Sequence, residues 1–116
     1  KVSDPTRTVL DILNDPALGG GLRPMVDVFN IYMASKDKDV DLLIKYAVRL
    51  NNGAVFKRLG FIATRFAPTE QVLIDSCRAR LTKGNAKVDP SMPADKLITA
   101  WKLWVPANWA KEGKSD

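Results

Sequence analysis

The chemistry open to this sequence is electrostatic, and six cations would carry it: Lys57, Arg58, Arg65, Arg78, Arg80 and Lys83. Lys57 and Arg58 stand in the stretch from Asn51 to Ile62, where Val55, Phe56, Leu59 and Ile62 recur at spacings of three and four. That spacing gathers the apolar residues on one face of a helix and leaves Lys57, Arg58 and Arg65 outside the stripe, so all three are expected in solvent. Residues 57–87 hold seven cations against Glu70 and Asp75, whereas the rest of the chain has eleven charges of each sign. The whole net charge of +5 is therefore local. A local positive field speeds and orients encounter with nucleic acid or with an acidic protein surface. The plainer reading of the same residues is a solvated helix face.

Other chemistries find little support. The chain has no histidine, which removes the commonest general base, the nucleophile triads and most zinc sites. Its one cysteine, Cys77, falls on an apolar helix face with Val72, Leu73 and Leu81, as a small buried thiol would. Asp11 with Asp15, and Asp37 with Asp39 and Asp41, are the carboxylate groupings that a magnesium enzyme would need to converge on a phosphate. Asp39 is better read as a helix cap and Asp41 as a favourable charge near a helix start. Arg7 and Asp11 are spaced for an i,i+4 pair, and Thr8 for a local backbone bond. The run Gly19-Gly20-Gly21 lacks the Gly-Lys-Ser/Thr ending of a phosphate-binding loop and follows no strand, so it reads as a turn.

Helices must position these groups. Ser3 or Asp4 caps a first helix entered through Pro5, with Val9, Leu10, Ile12 and Leu13 inward and a stop at Asn14-Asp15-Pro16. Pro24 opens a second, buried through Met25, Val28, Phe29 and Tyr32. Asp39 caps a third, with Leu42, Leu43, Tyr46, Ala47 and Leu50 inward. Asn51-Asn52-Gly53 ends that helix and begins a fourth, which runs to about Phe66. Ala67-Pro68-Thr69 precedes a fifth, closed by Lys83-Gly84-Asn85. Beyond residue 85 the period becomes two. Residues 86–89 read as a short strand and Ile98 to Val105 as another, with Thr99, Trp101, Leu103 and Val105 on one side. The two are expected to pair, with residues 1–3 as a third candidate. Trp101 and Trp104 are candidate core anchors or partner contacts, and residues 106–116 are expected to fray.

These elements make a single α+β domain, mostly α, of about five short helices packed with a small C-terminal two- or three-stranded β element. Helices would fill residues 4–83, strands 86–105 and a polar tail 106–116. No apolar run approaches the roughly 20 residues of a bilayer span. The polar N-terminus lacks the apolar stretch of an export signal, and a lone thiol suits a reducing compartment, so a cytoplasmic location is expected. The chain opens on Lys1 and enters a helix at once, as a piece of a longer protein would.

Three segments, in order and spacing, resemble one family: residues 4–11 (Asp4-Pro5-Thr6-Arg7-Thr8-Val9-Leu10-Asp11), residues 16–21 (Pro16-Ala17-Leu18-Gly19-Gly20-Gly21) and residues 46–60, which end Lys57-Arg58-Leu59-Gly60. Lys87-Val88-Asp89-Pro90 followed by Trp101 is similar to that family's end. They look like the C-terminal domain of AbiEi-type antitoxins from the abortive-infection E toxin–antitoxin systems of bacteria, over most of residues 4–105. Asn51-Asn52 departs from the pattern, where a glycine is more usual. The resemblance implies a non-enzymatic domain with no cofactor or metal, which neutralises a nucleotidyltransferase toxin, without requiring a stable complex, and assists promoter binding for autoregulation. It also implies an N-terminal winged helix-turn-helix, for which residues 1–116 have no room. On this reading Lys57, Arg58, Arg65, Arg78, Arg80 and Lys83 contact promoter DNA phosphates or the toxin. The rival expectations are a protein–protein interaction module, a general nucleic-acid-binding helical domain and, least favoured, an aspartate-held metal enzyme.

Overall fold

The computed structural model describes residues 4–110, with the backbone alone for Leu18, Asn108 and Ala110. Five helices come first: α1 (Pro5–Asn14), α2 (Leu22–Ala34), α3 (Val40–Leu50), α4 (Gly53–Phe66) and α5 (Gln71–Ala79), with a 3-10 turn at Pro16–Gly19. Three short strands follow, β1 (Ala86–Lys87), β2 (Lys96–Ile98) and β3 (Leu103–Val105), then a single turn of helix, α6 (Ala107–Ala110). The fold is α+β and mostly α, as the sequence indicates. In the sheet β3 is central, parallel to β1 and antiparallel to β2, with Leu103 opposite Ala86 and Trp104 opposite Leu97.

The helix starts follow from their capping residues. The Asp4 carboxylate accepts from the Thr6 and Arg7 amides at 3.1 and 3.4 Å, satisfying donors that α1 itself cannot pair. Asp39 does the same for Leu42 at 3.0 Å, and Asn52 for Ala54 at 3.1 Å. Asn51 ends α3 in the left-handed region at φ 52°, which asparagine tolerates better than most residues. One left-handed residue and one cap thus turn the chain from α3 into α4 with no longer loop between them. Tyr32 ties three segments together: its hydroxyl lies 2.8 Å from the Thr6 hydroxyl, accepts from the Asp39 amide at 2.8 Å and donates to the Asp39 carbonyl at 3.2 Å.

Helix α4 is the centre of the molecule. Every residue from Val55 to Ala63 is buried, because α1, α5, β1 and β3 all pack against it. Gly60 is required where α4 meets the sheet: a Cβ there would overlap the Trp101 ring, which is 2 % exposed. Among the described residues, no helix is long and apolar enough to cross a membrane.

Several boundaries differ from expectation. The segment from Ile98 to Val105 is two strands, not one, because Thr99–Lys102 folds into a tight turn that lets β2 and β3 pair as a hairpin. Alternation of side chains cannot register such a turn when none of its residues is glycine, asparagine or proline. Helix α2 begins at Leu22, two residues before Pro24, and α5 ends at Ala79, ahead of the glycine turn. Val72, expected inward, is 64 % exposed, and Ile74 takes its place in the core. Residues 107–110 form α6 instead of fraying, since Trp109 packs edge-on against Phe66 with ring centres 6.2 Å apart. The proposed third strand at residues 1–3 lies outside the described residues.

Candidate nucleic-acid interface

The six cations separate into three environments. Lys57 and Arg58 are 4 % and 5 % exposed. The expectation that they stand in solvent is corrected, and the reason lies in α4. A helix apolar nearly all round has no solvent face, so charges on it must find partners inside the protein. Leu59, Gly60, Phe61, Ile62 and Ala63 directly after the cations were the sequence signal for such a helix.

Both cations are satisfied by backbone carbonyls. Lys57 Nζ donates to the Gly84 carbonyl at 2.9 Å. Arg58 donates from Nη1 to Leu13 at 2.7 Å and Asn14 at 3.3 Å, and from Nε to Lys87 at 2.9 Å. Leu13 and Asn14 are the last residues of α1, whose end carries unpaired carbonyls and the negative pole of the helix dipole. The last turn of α1 has no basic residue of its own, so Arg58 caps it from across the core while also holding β1. Burial lowers the Arg58 pKa, an effect opposed by the charges of Asp89 and Asp15. Lys57 is likewise lowered, first by burial and then by the charge of Lys102.

Asp89 completes this joint. It is fully buried; one carboxylate oxygen accepts from the Ser91 amide at 2.9 Å and the Ser91 hydroxyl at 2.7 Å. The other has no hydrogen-bond partner and sits 3.2 Å from where a Cβ of Gly21 would be. A carboxylate beside Gly21, the residue that begins α2 without a capping side chain, places negative charge at the positive end of that helix.

Arg65 occupies a second corner, near the far end of α4. It is half-buried, donates to the Trp109 carbonyl, and holds its guanidinium 5.4 Å from the Trp109 ring centre and 5.8 Å from that of Phe61. Its role there is to hold α6 on α4.

Arg78, Arg80 and Lys83 are exposed, as expected. Arg78 lies 4.9 Å over the Trp101 ring and 3.9 Å from the Asp75 carboxylate. Arg80 lies on the other flank of the α4–α5 pair, 5.9 Å over Phe56, beside Val48, Asn51 and Asn52 at the α3–α4 corner. The structure adds two cations that the six-residue set omits. Lys102 is half-buried, with its carbonyl accepting from the Ala86 amide at 3.0 Å, and Lys87 is exposed on β1. Lys102 escapes sequence reasoning because only the hairpin turn brings it back beside the 83–87 segment. Lys83 and Lys87 flank the Gly84 turn in the chain, the Ala86–Lys102 bond brings Lys102 to the same loop, and Arg78 stands over Trp101, the residue before Lys102; of these four only Arg78 has a carboxylate within ion-pair distance among the described residues. The single continuous face expected of α4 and α5 is replaced by this smaller cluster, with Arg80 on its far side.

The remaining candidates take structural positions. Arg7 pairs with Asp11 at 3.6 Å and the Thr8 hydroxyl donates to the Asp4 carbonyl at 3.2 Å, both as the spacing indicates. Gly20 and Gly21 turn the chain into α2 with φ of 99° and 108°. Cys77 is buried, and desolvation pushes its thiol pKa up to about 12. No family model, curated protein or solved structure matches this chain.

Proposed function

We propose that this chain is a non-enzymatic regulatory domain of an AbiE-like toxin–antitoxin system, which holds promoter DNA through the exposed cations around Gly84 and helps to neutralise a nucleotidyltransferase toxin. The observation that carries the proposal is the set of Arg78, Lys83, Lys87 and Lys102, three of them without a carboxylate partner among the described residues; the first three lie in the stretch 57–87 where the chain's charge is unbalanced, and the hairpin adds Lys102. Unpaired surface cations suit a polyanion, because each phosphate they neutralise releases condensed counterions.

A second support comes from where the family-like segments lie. The Tyr46 hydroxyl donates to the Asp4 carboxylate at 2.9 Å. Gly21 abuts Asp89, Arg58 binds the Lys87 carbonyl, and Gly60 receives Trp101. Segments that are weak signals separately thus act as one packing unit. The residues of the resemblance build the domain, and the exposed cations beside them do the binding.

Binding of the protein to its own promoter fragment, followed by fluorescence anisotropy across a salt series, tests the proposal. Wild type should show an affinity that falls linearly on a log–log plot. Charge reversal at Lys83 and Lys87 together should weaken binding at least about 10-fold and reduce the slope by about two. Equal affinity of the two proteins would remove the DNA reading, and failure to relieve toxicity in cells co-expressing the nucleotidyltransferase would remove the antitoxin reading.

A further inference from the structure

We propose that Lys102, with Lys57 behind it and the Gly84 turn beside it, forms a seat for a single phosphate group of the DNA backbone. The inference rests on the DNA reading above and names the point at which the polymer is gripped.

Two unfavourable features meet at Lys102. Its backbone lies in the left-handed region, at φ 55°, as the last residue of the turn between β2 and β3. The only other non-glycine residue there among the described residues is Asn51, a type suited to it. Glycine would serve this turn without strain, and strain retained against an easy alternative marks positions where the side chain is needed. The second feature is repulsion. The Lys57 ammonium is fixed by its bond to the Gly84 carbonyl, and Lys102 is fixed beside the same loop by the bond from the Ala86 amide to its carbonyl. Burial lowers the Lys57 pKa, and the charge of Lys102 adds to that lowering. No carboxylate lies within ion-pair distance of either lysine among the described residues.

An anion on Lys102 at the Gly84 turn would offset the repulsion between the two charges. Compact ammonium groups with rotatable donors suit a phosphate as point charges. Gly84, at φ 83°, has open space where a side chain would stand, so a backbone can approach. Arg78, seated on the Trp101 ring that precedes Lys102 in the chain, and exposed Lys83, next to Gly84, are the cations available to neighbouring phosphates.

Lys102→Gly separates stability from binding. It removes the strain and the repulsion, so the melting temperature should rise by about 4 °C. Promoter affinity should fall several-fold, with the salt slope smaller by about one. Lys102→Arg should keep the affinity within about 2-fold, since the charge remains. Inorganic phosphate, compared with chloride at equal ionic strength, should raise the melting temperature of wild type and not of Lys102→Gly. Lys102→Gly that binds promoter DNA like wild type overturns the seat while leaving the DNA reading to Lys83 and Lys87. A wild type that binds no promoter DNA overturns both the DNA reading and the backbone-phosphate seat, and a phosphate shift in that case would assign the lysine pair to a free phosphate. Lower stability in Lys102→Gly overturns the strain argument. Loss of poly-aspartate binding with DNA binding intact overturns the seat in favour of an acidic protein partner.

Discussion

Arg58 on α4 and Arg80 just past α5 carry the same guanidinium from the same cationic stretch, but Arg58 is 5 % exposed and Arg80 stands in solvent. The difference is in the acceptors. Arg58 meets carbonyls of Leu13, Asn14 and Lys87 that have no other use for their lone pairs once α1 ends and β1 begins. Arg80 meets the Phe56 ring and the carbonyl of Ser76 one turn back on its own helix. A buried cation is a fastener between elements, and a surface cation near an aromatic ring remains available to a partner. Charge counted along the chain treats the two alike.

The comparison breaks most readily at Arg58. Arg58→Met should lower unfolding free energy in urea by about 3–5 kcal/mol, since it strands buried carbonyls and leaves Asp89 without a compensating charge. Arg58→Lys should recover little, because one ammonium cannot span the α1 end and β1 together. A loss below about 1 kcal/mol would mean that the buried set is not structural. Next in size is Gly60→Ala, with a cost of about 2 kcal/mol from the clash with Trp101, although alanine favours a helix.

The Cys77 thiol lies on the buried side of α5, whose other side carries the exposed set, and the charge of Arg80 holds its raised pKa partly in check. The thiol is protonated in the folded protein up to a pH of about 12, whereas in the unfolded chain it ionises near 9. Its contribution is therefore complete below about pH 9 and shrinks as pH rises toward the folded value, by up to about 1.4 kcal/mol per pH unit. Denaturant titrations of wild type and Cys77→Ala at successive pH values should show that loss in wild type alone. The smallest effect belongs to the exposed set: Lys83→Ala or Lys87→Ala should change stability by no more than about 0.5 kcal/mol while weakening promoter binding, the converse of Arg58→Met.

Much of the helical layout was legible because its signals are local. Asp4, Asp39 and Asn52 cap within three residues of themselves, and the pairs Leu10 and Leu13, Met25 and Phe29, and Leu43 and Ala47 fall at helical spacing. The hairpin was not legible, since its turn relies on a left-handed lysine held by tertiary contacts and not on a turn-forming residue. The burial of Lys57 and Arg58 was half legible: the unbroken apolar run after them indicates an enclosed helix, but carbonyl partners on Leu13 and Lys87 lie too far along the chain for any local pattern to name. Val72 is a different kind of miss: it lies five residues before Cys77, off the row of Leu73, Cys77 and Leu81, whereas Ile74, three before Cys77, matches that face, so the helical period itself selects Ile74.

The sequence by itself determined the α-dominated class, the breaks between helices and the place along the chain where positive charge accumulates, because propensity, capping and charge are properties of residues and their near neighbours. Tertiary structure alone decided which cations face water. That choice depends on whether α1, β1 and the hairpin bring carbonyls or open space to each side chain, and such partners exist only after distant segments have met.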